Sequence, residues 1–245
     1  MAYKSFHNQI DMKDRPECST CNVFLKSYFS TLENGDLESL KYEKSSSFYK
    51  TGQLVFHEDS RAVGVYCLNS GKVKLYKVGN DGKEQIVRFV TPGELFGHSS
   101  IIGTRHYLVT AEAIEDSIIC FINDNTFSDL ADKYPEITKT LITALGNMLN
   151  EADDRMISIA QKPVRERLAE ALLTLCHKFH PEGCKNDNVL NLSREDLANI
   201  VGSATETIIR LLSEFREEKL ISIEGRRIIL KDVRKLKRIA NFKVQ

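Results

Sequence analysis

The sequence contains no apolar run approaching the roughly 20 residues that a helix needs to cross a bilayer, so no membrane-spanning helix is expected. Residues 1–16 (MAYKSFHNQIDMKDRP) lack the unbroken apolar stretch of a signal peptide. A cytoplasmic protein with no membrane partner is the expectation. The phosphate-cradling glycine loop, the nucleophile elbow and the metalloprotease helix motif are all missing, and no enzyme is expected. Net charge is missing as well, with 34 Lys and Arg against 34 Asp and Glu.

That balance hides an uneven distribution. From residue 160 to 245 there are 17 basic and 12 acidic side chains, and the earlier residues carry the opposite excess. A basic back half suits a chain of which only that half meets phosphate. At 245 residues there is room for two domains, each able to bury a core. Six cysteines, at 18, 21, 67, 120, 176 and 184, sit in a chain without an export signal. In a reducing compartment they read as core residues, metal ligands or redox thiols rather than disulfides.

The pattern along the chain predicts an α+β protein. A short helix is expected over about 21–40. Alternating apolar segments at 54–56, 64–68, 72–78 and 85–90 then mark short strands. Residues 79–82 (GNDG) form a hairpin signal, because Asn, Asp and Gly accept the positive φ of tight turns. Further corners fall at 70–71 and 91–93. Many short strands at even spacing predict an antiparallel barrel or sandwich. The period changes at Pro135. Ile137, Leu141, Ala144, Leu145, Met148, Ala152 and Ile159 make a helical stripe of about six turns, read as a homodimerisation helix over 135–159. Pro163 ends it and opens the next helix. The expected domains are an extension at 1–20, a sensory β-barrel at 21–134, a dimer helix and hinge at 135–160, and a DNA-binding domain at 161–245.

The back half carries the most specific motif. Ser193, with Asp196 three residues on, caps a helix through Leu197 and Ile200 that stops at Gly202. A second helix starts near Thr205 and carries Ile208, Leu211 and Leu212 on its apolar side. Two short helices around a glycine turn are a helix-turn-helix. Residues 219–230 then read as strand, turn and strand, a wing with Arg226 and Arg227 in reach of phosphate. Glu206 and Arg210, four residues apart, share the face of the second helix that enters a major groove. Glutamate accepts from cytosine N4, and arginine donates in bidentate fashion to guanine. Thr205, Thr207 and Ser193 lie near enough to assist.

The runs 162–169 (KPVRERLA), 192–198 (LSREDLA), 205–212 (TETIIRLL) and 91–97 (TPGELFG) resemble the Crp/Fnr superfamily of bacterial transcription regulators. The resemblance spans about residues 20–240. It implies a cyclic-nucleotide-binding-like double-stranded β-helix or jelly roll, a dimer helix and a winged helix-turn-helix. The implied function is recognition of a palindromic promoter site with TGA-type half-site cores, double-stranded DNA and RNA polymerase being the partners. Glu206 and Arg210 match the family's base-reading positions, whereas Ile209 and Ala204 depart from its usual small or hydroxylated residues. The alternative is a sensor module acting through protein contacts rather than DNA.

The signal is less legible. In the stretch 97–107 (GHSSIIGTRHY), Gly97 and Arg105 match the family's nucleotide cassette. His98 replaces its glutamate and His106 its serine, so cAMP binding is not expected. Cys18, Cys21 and Cys120 match three of the four cysteines that hold an iron–sulfur cluster in oxygen-sensing members, while Ser27 stands at the fourth. An oxygen, a nitrogen or Cys67 is left as the remaining ligand. Cys67 and Cys120 also read as small buried strand residues. Haem or a small metabolite near His98, Arg105, His106 or Tyr107 stays open.

Overall fold

The computed structural model describes residues 32–241 together with residues 8, 9, 16, 18, 21, 23, 24, 29 and 30; Ser27 lies outside the described residues. The chain divides into two units, Met1–Lys77 with Val87–Met148, and Val78–Ile86 with Leu149–Gln245.

The first unit contains β1 (Asn8–Gln9), α1 (Asn34–Glu43), β2 (Ser45–Tyr49), β3 (Leu54–Phe56), β4 (Gly64–Ser70), β5 (Val73–Val78), β6 (Glu84–Val90), β7 (Leu95–Phe96), α2 (His98–Ile102), β8 (Thr110–Ala113), β9 (Ser117–Asn123) and α3 (Asp124–Lys133). The tip of the β5–β6 hairpin counts with the second unit. One sheet has the order β1-β2-β9-β4-β7 and the other β3-β8-β5-β6. The strands thus form two sheets, as in a jelly roll, and not one closed ring. Apolar residues from both meet in a single core: Phe56, Val65, Leu75, Val90, Phe96, Ala111, Ile119 and Ile122 are all buried. Strand alternation sends these side chains inward and their neighbours to solvent.

Two local readings change. The helix expected over 21–40 is found only as α1, which opens on Asn34 and Gly35, residues disfavoured inside a helix and tolerated at its start. Before it, Cys21 donates its N–H to the Cys18 carbonyl at 3.3 Å and Phe24 to that of Cys21 at 3.0 Å, a pair of tight three-residue turns. Asn8 and Gln9, from the segment assigned to an extension, pair with Phe48 and Ser47 of β2.

α4 (Pro135–Gln161) has 27 residues, which gives it a length of about 40 Å. It is followed in the second unit by α5 (Val164–Phe179), β10 (Val189–Asn191), α6 (Arg194–Val201), α7 (Thr205–Glu217), β11 (Ile221–Glu224), β12 (Arg227–Leu230) and α8 (Val233–Ile239). Pro163, at φ −57°, stands between α4 and α5. Leu168, Leu172, Leu197, Ile208, Leu212, Phe215 and Leu236 fill the core of this unit, and β10-β12-β11 make its small sheet. One expectation is overturned here. Cys176 of α5 and Cys184 of the following loop are joined as a disulfide, with Cα atoms 5.3 Å apart. The loop folds back on the helix over only eight residues, which brings the two thiols within bonding reach.

Candidate nucleic-acid interface and thiol cavity

The helix-turn-helix is set by local chemistry. Ser193 Oγ accepts the Asp196 N–H at 2.9 Å and donates to Asp196 Oδ2 at 2.6 Å, closing the start of α6. Gly202 ends it at φ +70°, ψ +56°, a left-handed conformation that is strained for residues bearing a Cβ. α7 then begins after Ala204, which supplies no side-chain cap. The amides of its first turn are therefore offered outward, as at other anion-binding helix starts.

α7 has two distinct faces. Ile208, Leu211, Leu212 and Phe215 are buried, whereas Glu206, Ile209 and Arg210 are exposed and Thr205 and Thr207 are half-buried. Arg210 Nη1 donates to Glu214 Oε1 at 2.6 Å, so its partner is one turn further on and not Glu206. Glu214 also accepts from Arg165 Nη1 at 3.2 Å, and Arg165 reaches Glu218 at 2.7 Å and lies over the Phe215 ring. In the wing, Arg226 and Arg227 are exposed at the β11–β12 turn. Arg227 stands 3.9 Å from Glu224.

Several arginines that the sequence reading did not single out hold this unit together. Arg194 Nη2 donates to the Gly225 carbonyl at 2.9 Å, tying α6 to the wing turn. Arg167 donates to the carbonyls of Val201, Gly202, Ile159 and Lys162 at 3.1–3.2 Å. These carbonyls lie at the ends of α6 and α4, where helices leave acceptors without backbone donors. Arg155 Nη2 donates to the carbonyls of Ile86 and Ile200, each at 2.6 Å.

α4 carries two apolar columns where the sequence reading saw one. Ile137 and Leu141 are buried. Ile142, Leu149, Met156 and Ile159 are exposed, with Leu145 half-buried and Ala152 exposed between them. Residues 142, 145, 149, 152, 156 and 159 alternate steps of three and four, the spacing of a coiled-coil seam.

The four residues matched to a nucleotide cassette do not converge. His98 is almost fully buried at the start of α2, and burial with the nearby Arg88 charge lowers its pKa to about 4. Gly97, at φ +81°, packs where a Cβ would stand 3.1 Å from Tyr107. Arg105 and His106 are exposed, and Arg105 is ion-paired with Asp124. The core beside them is filled by rings: Tyr107 stacks on Phe56 with centroids 3.9 Å apart, and Tyr66 lies 5.4 Å from Phe96.

Cys18, Cys21 and Cys120 do come together, and Cys67 joins them. All four line one small cavity with Val23, Phe24, Lys44, Asn69 and Ile122. Cys67 of β4 and Cys120 of β9 are directly opposite across the strand pair. Asn69 Nδ2 donates to Cys21 Sγ at 3.2 Å, and Ser46 Oγ lies 3.4 Å from Cys120 Sγ. Burial pushes the Cys67 and Cys120 thiols up, and the Lys44 charge opposes this in both. Among the described residues, no three His, Cys, Asp or Glu side chains are grouped to chelate one ion.

A double-sheet unit followed by a capped helix pair, a wing and an outward helix defines a winged helix-turn-helix regulator with a cyclic-nucleotide-binding-type domain. Residues 47–134 match the cyclic nucleotide-binding domain family and residues 166–239 the Crp-like helix-turn-helix domain family. The chain belongs to the Crp/Fnr family of DNA-binding transcription regulators. It is 28% identical to the fumarate and nitrate reduction regulatory protein of Yersinia pestis, over 91% of this chain and 90% of that one. To the transcriptional activator protein Anr of Pseudomonas protegens it is 29% identical, over 98% and 96%. Among solved structures it is similar to FixK2 from Bradyrhizobium japonicum, with TM-score 0.72, 25% identity, and coverage of 82% of this chain and 99% of that one. A CRP/FNR-family regulator of Thermus thermophilus gives TM-score 0.67 and 27% identity over 81% and 100%. No helix among the described residues is long and apolar enough to cross a membrane.

Proposed function

We propose that this regulator binds a two-fold symmetric promoter site as a homodimer, with α7 in the major groove and Glu206 and Arg210 reading bases. The observation that carries the reading is the division of α7. Its buried face is wholly apolar, and its outward face presents Glu206, Ile209 and Arg210 beside an uncapped helix start. Arg210 addresses guanine and Glu206 cytosine, which supports the TGA-type half-site core that the family resemblance implies. The first-turn amides of α7, with Thr205, Thr207, Arg226 and Arg227, meet the phosphates on either side. Ser193 is engaged in capping α6, so its contribution is to hold α7 in place rather than to touch DNA.

The exposed column of α4 supports dimer formation by pairing with its counterpart in a second copy. Two α7 helices related by that two-fold then address adjacent major grooves, about 34 Å apart. RNA polymerase is the partner expected for a regulator so placed. Selection from a random duplex pool, followed by fluorescence anisotropy at physiological salt, tests the proposal. A recovered palindrome bound at least about a thousandfold more tightly than random DNA is expected. Equal affinity for both would overturn it.

A further inference from the structure

We infer that Cys67 is the fourth thiolate ligand of an iron–sulfide cluster held by Cys18, Cys21, Cys67 and Cys120. The inference concerns the first unit alone and does not depend on how α7 reads DNA.

The argument begins with register. β4 and β9 are antiparallel, and Cys67 faces Cys120 directly. Opposed residues point to the same side of a sheet with Cβ atoms about 5 Å apart. Both side chains enter one cavity, and the tight turns that carry Cys18 and Cys21 deliver two further sulfurs to it. The chain therefore assembles four thiols from three places in the sequence. Only Cys18 and Cys21 are close enough in sequence to suggest a shared ligand.

The donor set and its surroundings fit such a group. Four soft sulfur donors select thiophilic metals, and four cysteines are the usual complement of an iron–sulfur cluster. The sulfurs ring a space, and no three of them are gathered on a point as a single tetrahedral ion requires. The space therefore favours a polynuclear group. Lys44, 7% exposed, supplies a cation on the cavity wall opposite accumulating thiolate charge. The Asn69 N–H on Cys21 Sγ is the type of hydrogen bond that tunes cluster sulfurs. Val23, Phe24 and Ile122 complete an apolar lining that limits water. On assembly each thiol releases its proton to solvent as its sulfur–iron bond forms, and ferrous iron and sulfide supply the inorganic part.

The test uses the full chain, purified without oxygen and treated with ferrous iron and sulfide. Iron and acid-labile sulfide are expected in equal amounts, at more than one iron per protomer, with a visible charge-transfer absorption that bleaches in air. Cys67→Ala is expected to lower bound iron and that absorption about tenfold or more. Thermal melting of the metal-free proteins checks that the variant folds. If Cys67→Ala melts early, Cys67→Val replaces it, because valine suits a strand and fills the thiol's space. Full iron, sulfide and absorption in a folded Cys67 variant would overturn the inference. So would a wild-type protein that takes up no iron, or one that takes up a single zinc ion indifferent to Cys67.

Discussion

Arg210 and Glu214 are hydrogen-bonded one turn apart on α7, with 2.6 Å between Nη1 and Oε1. The guanidinium assigned to guanine is thus held along the helix in the free protein. Exposed pairs of this spacing are worth about 0.3–0.5 kcal/mol, so a guanine edge competes with Glu214 easily. Arg210→Ala is expected to weaken binding to the selected palindrome by about 1–3 kcal/mol and to relax preference at one base pair per half-site. Anisotropy titrations against the site and its single-base variants measure both. A uniform loss across all variants would assign Arg210 to phosphate instead.

Leu149 lies at the middle of the exposed α4 column and is 64% exposed in the protomer. A charge there has nothing inside the protomer to disrupt. Leu149→Lys is expected to leave the thermal midpoint of the protomer nearly unchanged, convert dimer to monomer in sedimentation velocity, and lower affinity for the palindrome. An unchanged dimer would place the two-fold elsewhere.

Arg167 closes four backbone carbonyls at helix ends. Removing a partner from partly buried acceptors costs about 1–3 kcal/mol. Arg167→Met, which keeps much of the stem's packing, is expected to destabilise the second unit by that amount in urea unfolding. Its effect on the first unit's transition should be negligible.

His98 gives the first unit a pH dependence whose sign follows from its burial. Its folded pKa of about 4 lies below the ordinary value of 6.5, so the unfolded chain takes up the proton first. The stability it contributes is complete above pH 6.5, declines as pH falls towards 4, and amounts to about 2–4 kcal/mol over that window. His98→Gln is expected to flatten the difference in stability between pH 7 and pH 4.5. The comparison is made by chemical denaturation of both proteins at each pH.

What the sequence made legible depends on the range of the interaction. The Ser193 cap, the Gly202 stop and the buried Leu197, Ile208 and Leu212 are fixed by neighbours within a few residues, so the helix-turn-helix could be read directly. The hairpin at 79–82 was readable for the same reason, and Gly82 takes φ +78°. Arg167 was not readable, because two of its acceptors lie more than thirty residues ahead. The stripe of α4 was visible, but periodicity could not separate the column facing its own core from the adjacent one facing solvent. Ile142, Leu149 and Met156 were missed on that account. Cys67 looked like a small strand residue until the register of β4 on β9 placed it opposite Cys120. The nucleotide cassette was matched by position, whereas the fold buries His98 and turns Arg105 towards Asp124.

The disulfide between Cys176 and Cys184 has a practical corollary. All four free cysteines belong to the first unit, and both bonded ones belong to the second. A thiol-directed dye added to unreduced, denatured protein will therefore mark only the sensory half. Reduction followed by a dye of another colour will mark only the DNA-reading half. The chain thus comes ready for two-colour labelling, with no cysteine to be introduced.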